Sequence, residues 1–176
     1  MGSKIYKIDV RRTKELKLPE LLVLADRGDR EHFYCVPNPE KVRVSCPHCG
    51  DTSVRIQGIL HRNYLDAILR EDESAIITVS LEFNKYRCTA PDCGCVFQPQ
   101  FSFAAPYMRT TRRVADAIIK MVDVGMPYSE IAEELKKRIS RQAVGQIYHR
   151  RVKELEDDTS EEAAWFRELM RKKFRE

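Results

Sequence analysis

The sequence predicts an α+β chain, β-rich in its first half and helical in its second. Two patterns carry that expectation. Strand-like alternation and β-rich composition surround two cysteine clusters: Val54, Ile56 and Ile59 follow the first, and Ala75 to Phe83 (Ile76, Ile77, Val79, Leu81, Phe83) precedes the second. Such alternation marks strands with one buried face. From Thr110 onward the apolar period lengthens to about 3.6 residues, the repeat of an amphipathic helix.

The clusters are Cys46-Pro47-His48-Cys49-Gly50 and Cys88-Thr89-Ala90-Pro91-Asp92-Cys93-Gly94-Cys95. Each contains a Cys-Gly step, where glycine lets the chain turn tightly beneath a sulfur. Two knuckles facing each other would set four thiolates at the corners of a tetrahedron, the preference of a closed structural Zn²⁺ site. Cys46, Cys49, Cys88 and Cys93 are the candidate ligands. Cys95 is the spare, because Cys93-Gly94 mirrors Cys49-Gly50, although spacing alone leaves the choice between Cys93 and Cys95 open. His48 lies between two ligands and reads as a polar surface residue, since four thiolates fill the shell. A redox dithiol would call for a βαβ setting and no second cluster. Cys35, in the apolar run Phe33-Tyr34-Cys35-Val36, reads as a small buried residue.

The 176 residues allow one medium domain or two small ones, and 43% apolar content can supply a core. The net charge of +4 hides a gradient: between Tyr107 and Lys153, eleven Lys and Arg face five acids, a net +6. A basic segment in a nearly balanced chain points to a polyanionic partner. The N-terminus lacks the apolar stretch of a secretory signal. No apolar run approaches the ~20 residues that span a bilayer. With thiols committed to metal, a reducing cytoplasm is the expected compartment.

Residues 1–106 read as a zinc-ribbon domain with an N-terminal extension. Residues 1–13 are expected to form an extended arm or an edge strand (Ile5, Tyr6, Ile8 and Val10 alternating with charges). Thr13 to Ala25 reads as a short helix carrying Leu16, Leu21, Leu22 and Leu24, interrupted by Pro19. His32 to Val36 reads as a strand stopped by Pro37-Asn38-Pro39. Val42 and Val44 lead as a strand into the first knuckle, and Ser53 to Leu60 leaves it. Asn63 to Glu73 is ambiguous, since Tyr64, Leu65, Ile68 and Leu69 would suit one helical face. Gln98 to Tyr107, with two prolines and Phe101, Phe103 and Tyr107, reads as a linker whose aromatics pack onto a neighbouring module. A ribbon of this kind has a thin core, and metal supplies the missing folding energy.

Residues 107–155 read as a three-helix helix-turn-helix domain. Thr110 or Thr111 caps a helix bearing Val114, Ile118, Met121 and Val122, ended by Gly125. Pro127-Tyr128-Ser129 starts the second, with Ile131, Ala132 and Leu135 inward and Lys136, Lys137 and Arg138 at its end. Ser140 caps the third, whose apolar positions are Val144, Ile147, Tyr148, Val152 and Leu155. Residues 156–176 read as a C-terminal amphipathic helix starting near Ser160, with Ala164, Trp165, Leu169 and Met170 apolar. That helix either packs back on the chain or forms a homodimer contact.

In a helix-turn-helix the second helix of the motif enters the major groove. Here that face offers Arg141, Gln142, Gly145, Gln146 and His149, with Arg150 beside them. Arg pairs with guanine and Gln with adenine by two parallel hydrogen bonds. Gly145 costs the helix ~1 kcal/mol relative to Ala, so a reason is expected, such as close approach to DNA. Arg109, Arg112 and Arg113 are the candidate phosphate contacts.

These pieces together resemble the N-terminal region of an insertion-sequence transposase of the ISL-three family. The residues carrying the likeness are Cys46-Pro47-His48-Cys49-Gly50, Tyr86-Arg87-Cys88 with Cys93, Phe97, Thr110-Thr111-Arg112-Arg113 and Ile139-Ser140-Arg141-Gln142-Ala143-Val144. It covers about residues 16 to 155. The resemblance implies a zinc-binding domain and a helix-turn-helix that recognise the element's terminal inverted repeats, hence DNA recombination in a prokaryotic, nucleoid-associated setting. A family catalytic domain with an acidic triad needs on the order of 100 further residues. The expectation is therefore no catalysis by these residues.

Three functions compete: a sequence-specific double-stranded DNA binder, from a transposase or recruited as a transcriptional regulator; a protein-binding zinc-ribbon adaptor; and a thiol enzyme. The +6 segment and the polar helix face favour the first. A reactive thiolate must be exposed and free, which metal ligation prevents.

Overall fold

The computed structural model describes residues 6–70 and 73–173. Ile5 of the expected arm, and Glu71 and Asp72 within the ambiguous stretch, lie outside them. Among the described residues the chain is mixed α+β, with a five-stranded sheet and five α-helices. It divides into two compact units at Thr111/Arg112. The break anticipated at 106/107 falls inside the first unit.

The extended reading of residues 1–13 holds only up to Asp9, where Ile8 bridges Leu24; from there α1 (Val10–Leu16) is helical, capped by Asp9, whose carboxylate accepts the Arg12 amide at 3.0 Å. The helix expected over Thr13 to Ala25 thus ends at Leu16, and its second half is strand β1 (Leu21–Val23). Lys17 turns left-handed (φ 53°), and Pro19, which has no amide proton, prevents the helix from resuming. β1 pairs antiparallel with β2 (His32–Pro37), which runs parallel to β4 (Glu73–Cys88).

The frame of this unit is a long hairpin of β3 (Val54–Arg70) and β4 (Glu73–Cys88), paired from Val54↔Cys88 to Arg70↔Glu73 with an irregularity between Ile56 and Gly58. Asn63 to Arg70 is therefore strand. Its helical spacing yields to the pairing of every residue with β4. β5 (Val96–Phe97) pairs with the far end of β4. Val42 and Val44 form no strand.

Alternation along β4 turns Ile77, Val79, Leu81 and Phe83 onto one buried face. They form a core with Leu16, Leu21, Val23, Phe33, Cys35, Tyr64 and Ile68, completed by Phe101 and Phe103. Phe101 meets Phe83 edge-on at 5.6 Å, and Phe103 meets Tyr64 at 5.2 Å. The Glu20 carboxylate accepts the Ser102 amide at 2.9 Å. Phe101 and Phe103 to Ala105 thus cover the sheet, whereas Tyr107, expected to pack with them, is 88% exposed; Thr111 finishes the cover, donating its hydroxyl to buried Asp66 at 2.5 Å. Cys35 is buried, and burial pushes its thiol up to about 12.

The second unit holds α2 (Arg112–Asp123), α3 (Tyr128–Glu134), α4 (Arg141–Glu156), a 3-10 turn (Glu161–Ala163) and α5 (Ala164–Lys173). Val114, Ile118, Ile131, Leu135, Val144 and Ile147 are buried. On α2, Ile119 is buried where Met121 and Val122 are only half so. Gly125, at φ 86°, closes that helix. Asp116 on α2 accepts Arg151 of α4 at 2.7 Å. α5 packs back through Phe166, which joins Ile119, Leu155 and Ala163, while Ala164 is exposed. Among the described residues no helix is long and apolar enough to cross a membrane.

Candidate functional site

An antiparallel hairpin brings its two open ends together, and here those ends carry the cysteines. The first knuckle immediately precedes β3 and the second follows β4. The Thr89 amide donates to Ser53 O at 2.8 Å across the gap. Each knuckle is a tight turn: Gly50 N–H bonds Cys46 O at 2.8 Å, and Gly50 and Gly94 have φ of 77° and 57°. A side chain there would be strained.

The turns aim amides at sulfur. His48 and Cys49 N–H groups donate to Cys46 Sγ, Ala90 N–H to Cys88 Sγ, and Cys95 N–H to Cys93 Sγ. The four sulfurs of Cys46, Cys49, Cys88 and Cys93 lie within 4.8 Å of one another. Cys46–Cys93 and Cys49–Cys88 are 3.6 Å apart. A disulfide needs about 2 Å, and all these cysteines are free. Tetrahedral thiolate ligation with bonds of about 2.3 Å spaces sulfurs about 3.8 Å apart. The donor set therefore fits a metal ion.

Cys95 lies outside the quartet. Its carbonyl accepts the Cys88 amide at 2.8 Å and its amide serves Cys93, so it supports the site through its backbone. His48 sits beside the site, Nδ1 3.8 Å from Cys93 Sγ.

The thiols do not ionise independently. Burial raises Cys46, but the amides of Cys49 and His48 and the thiols of Cys93 and Cys49 outweigh it, bringing it down to about 6. For Cys93 the Cys95 amide lowers the value, yet burial and hydrogen bonds with Cys49, Cys46 and Cys88 carry it up to about 12. One thiolate is easy and the next ones are repelled by it. A cation in their midst is what permits full ionisation.

The other candidate residues lie elsewhere. Ser140 caps α4, its hydroxyl accepting the Ala143 amide at 3.2 Å. Gln142, Gln146 and His149 share an exposed stripe of that helix, with Arg141 exposed in its first turn. Lys153 extends the stripe by one turn, and its spacing of four from His149 was legible in the sequence. Arg150 is exposed and 3.8 Å from Glu154. Gly145 is buried rather than on this stripe, so its expected approach to DNA is corrected: a Cβ there would lie 3.0 Å from Tyr128 Cε2. Arg109 is exposed in the first unit, while Arg112 and Arg113 are half-buried at the start of α2. Lys136 and Lys137 lie past the end of α3, both left-handed with φ of 53° and 55°.

Sequence reasoning overlooked Arg55 as a site residue and used Arg87 only as part of a motif. Strand register alone pairs them, at the hairpin end beside the second knuckle. Comparison of the chain with protein-family models, curated proteins and solved structures gives no match.

Proposed function

We propose that this chain is a sequence-specific double-stranded DNA-binding protein built from a zinc ribbon and a helix-turn-helix. The observation that carries the reading is the division of α4. Val144, Gly145 and Ile147 are buried, while Arg141, Gln142, Gln146 and His149 are exposed on a cap-started helix that follows α3. A helix so divided keeps hydrogen-bonding side chains available to base edges. Arg109, Arg112 and Arg113 serve phosphates, and phosphate contacts position the protein without reading sequence.

Zn²⁺ is the metal assigned to Cys46, Cys49, Cys88 and Cys93, because four thiolates at tetrahedral spacing suit it. With no vacant ligand position its role is structural, tying the base of the hairpin together. The resemblance to the N-terminal part of ISL-three-family transposases supports end recognition as the biological task. Cutting and joining DNA lies outside residues 1–176 in this reading. Exposure of the α4 stripe weighs against the adaptor alternative, which would have it covered.

The test is a gel shift of the zinc-loaded protein against a selected duplex and a random one across a salt series. Binding that weakens steeply with salt and favours the selected site supports the proposal. Absence of binding at low salt sinks it.

A further inference from the structure

An open cavity of about 470 Å³ lies against the second knuckle, lined by Arg55, Arg87, Thr89, Ala90, Asp92 and Gly94 among others. Arg55 and Arg87 are directly paired across β3 and β4, so both side chains leave the sheet on one face. Like charges set opposite each other on a sheet are destabilising. Neither guanidinium has a side-chain hydrogen bond or ion pair among the described residues, and Arg87 Nε is buried with no acceptor. Asp92 supplies the one carboxylate of that described lining, and the ligand candidates Cys88 and Cys93 line it too. Two guanidinium groups held together on one face of the sheet repel each other, and an anion entering the open cavity between them would relieve that repulsion.

We infer that this cavity seats a backbone phosphate of a nucleic-acid strand, clamped between Arg55 and Arg87. The planar guanidinium fork matches phosphate oxygens by paired hydrogen bonds. Opposed arginines on two strands present two such forks to one anion. The inference rests on the proposed DNA binding and adds the point at which the metal-bearing unit grips the backbone. The rival role for the arginines is to balance the excess negative charge of four thiolates around a divalent ion. The two roles separate by what each substitution removes.

The experiment titrates the full zinc-loaded chain with random-sequence duplex, by fluorescence anisotropy over a salt series. The proteins are the parent, Arg55→Gln, Arg87→Gln and Arg55→Lys, each with its metal content measured. Each glutamine variant is expected to bind about tenfold more weakly. The salt slope should fall in each, by at most the roughly 0.9 that one phosphate contact contributes, because the remaining arginine still meets the same phosphate. Metal content should be unchanged, and Arg55→Lys should recover the slope. Parent-like affinity and slope in both glutamine variants, with duplex binding otherwise intact, would overturn the phosphate seat and leave the DNA-binding proposal standing. A parent protein that binds no duplex overturns both. Loss of zinc from Arg55→Gln overturns the inference in favour of charge balance. A parallel titration with inorganic phosphate, followed through arginine side-chain NMR signals, identifies the source. Saturation by free phosphate while duplex affinity ignores both arginines would make this a small-anion site, again overturning the clamp.

Discussion

Gly145 of α4 faces the ring of Tyr128 on α3 so closely that a Cβ would stand 3.0 Å from Cε2 and 3.3 Å from Cδ2. The glycine lets the two helices meet. Gly145→Leu would drive a branched side chain into that contact, and overpacking of this kind costs about 1–3 kcal/mol. Chemical denaturation of the variant should show that loss, with metal content unchanged because the four-cysteine site belongs to the other unit. A variant as stable as the parent would show that Tyr128 swings away freely.

The sulfur geometry separates Cys93 from Cys95. Cys93 belongs to the quartet, while the Cys95 sulfur lies outside it and Cys95 serves the site through its backbone amide and carbonyl. Cys93→Ser should lose zinc and melt the hairpin base, and Cys95→Ser should retain about one equivalent, as measured by atomic emission on purified protein. Chelator should mimic the first variant. The reverse pattern would move the ligand to Cys95.

On α4, Arg141→Ala and Gln142→Ala should each cost about 1–3 kcal/mol on a selected site and relax its specificity. Arg112→Ala should weaken selected and random duplex alike and lower the salt slope by about 1. Anisotropy on both duplexes decides the matter. Equal losses on both from Arg141→Ala and Gln142→Ala would remove α4 as the reader.

Asp158 accepts the Ser160 amide at 2.8 Å, and that bond, with the Ser160 hydroxyl and nearby Arg151 and Arg167, holds its carboxyl below the usual range. A depressed value means the ionised form favours the folded state. Its contribution is complete above the unfolded value near ~3.9 and is lost as pH falls through the lower folded value. Asp158→Asn keeps an acceptor oxygen but removes the charge. The gap in Tm between parent and variant should be full at neutral pH and close as the solution is acidified below about pH 4. A gap independent of pH would assign the effect to shape rather than charge.

What the sequence determined by itself was local. A Cys-x-x-Cys turn with its glycine depends on a handful of neighbouring residues, so the knuckles were legible. Ser140 caps α4 through an amide three residues on, and the buried stripe of α4 follows from its period, so that helix was legible too. Tertiary structure decided the rest. Tyr64, Leu65, Ile68 and Leu69 suit a helix or a strand equally, and only pairing with Ser74 to Val79 of β4 made them strand. Leu21 to Val23 became strand because β2 offered it a ladder. Phe101 and Phe103 became core because the sheet left a face to cover. Gly145 looked like a polar-face residue until Tyr128 was placed against it. Arg55 and Arg87 became neighbours only through register. Each of these depends on contacts between segments distant in sequence, where burial and pairing outweigh propensities of less than about 1 kcal/mol per residue.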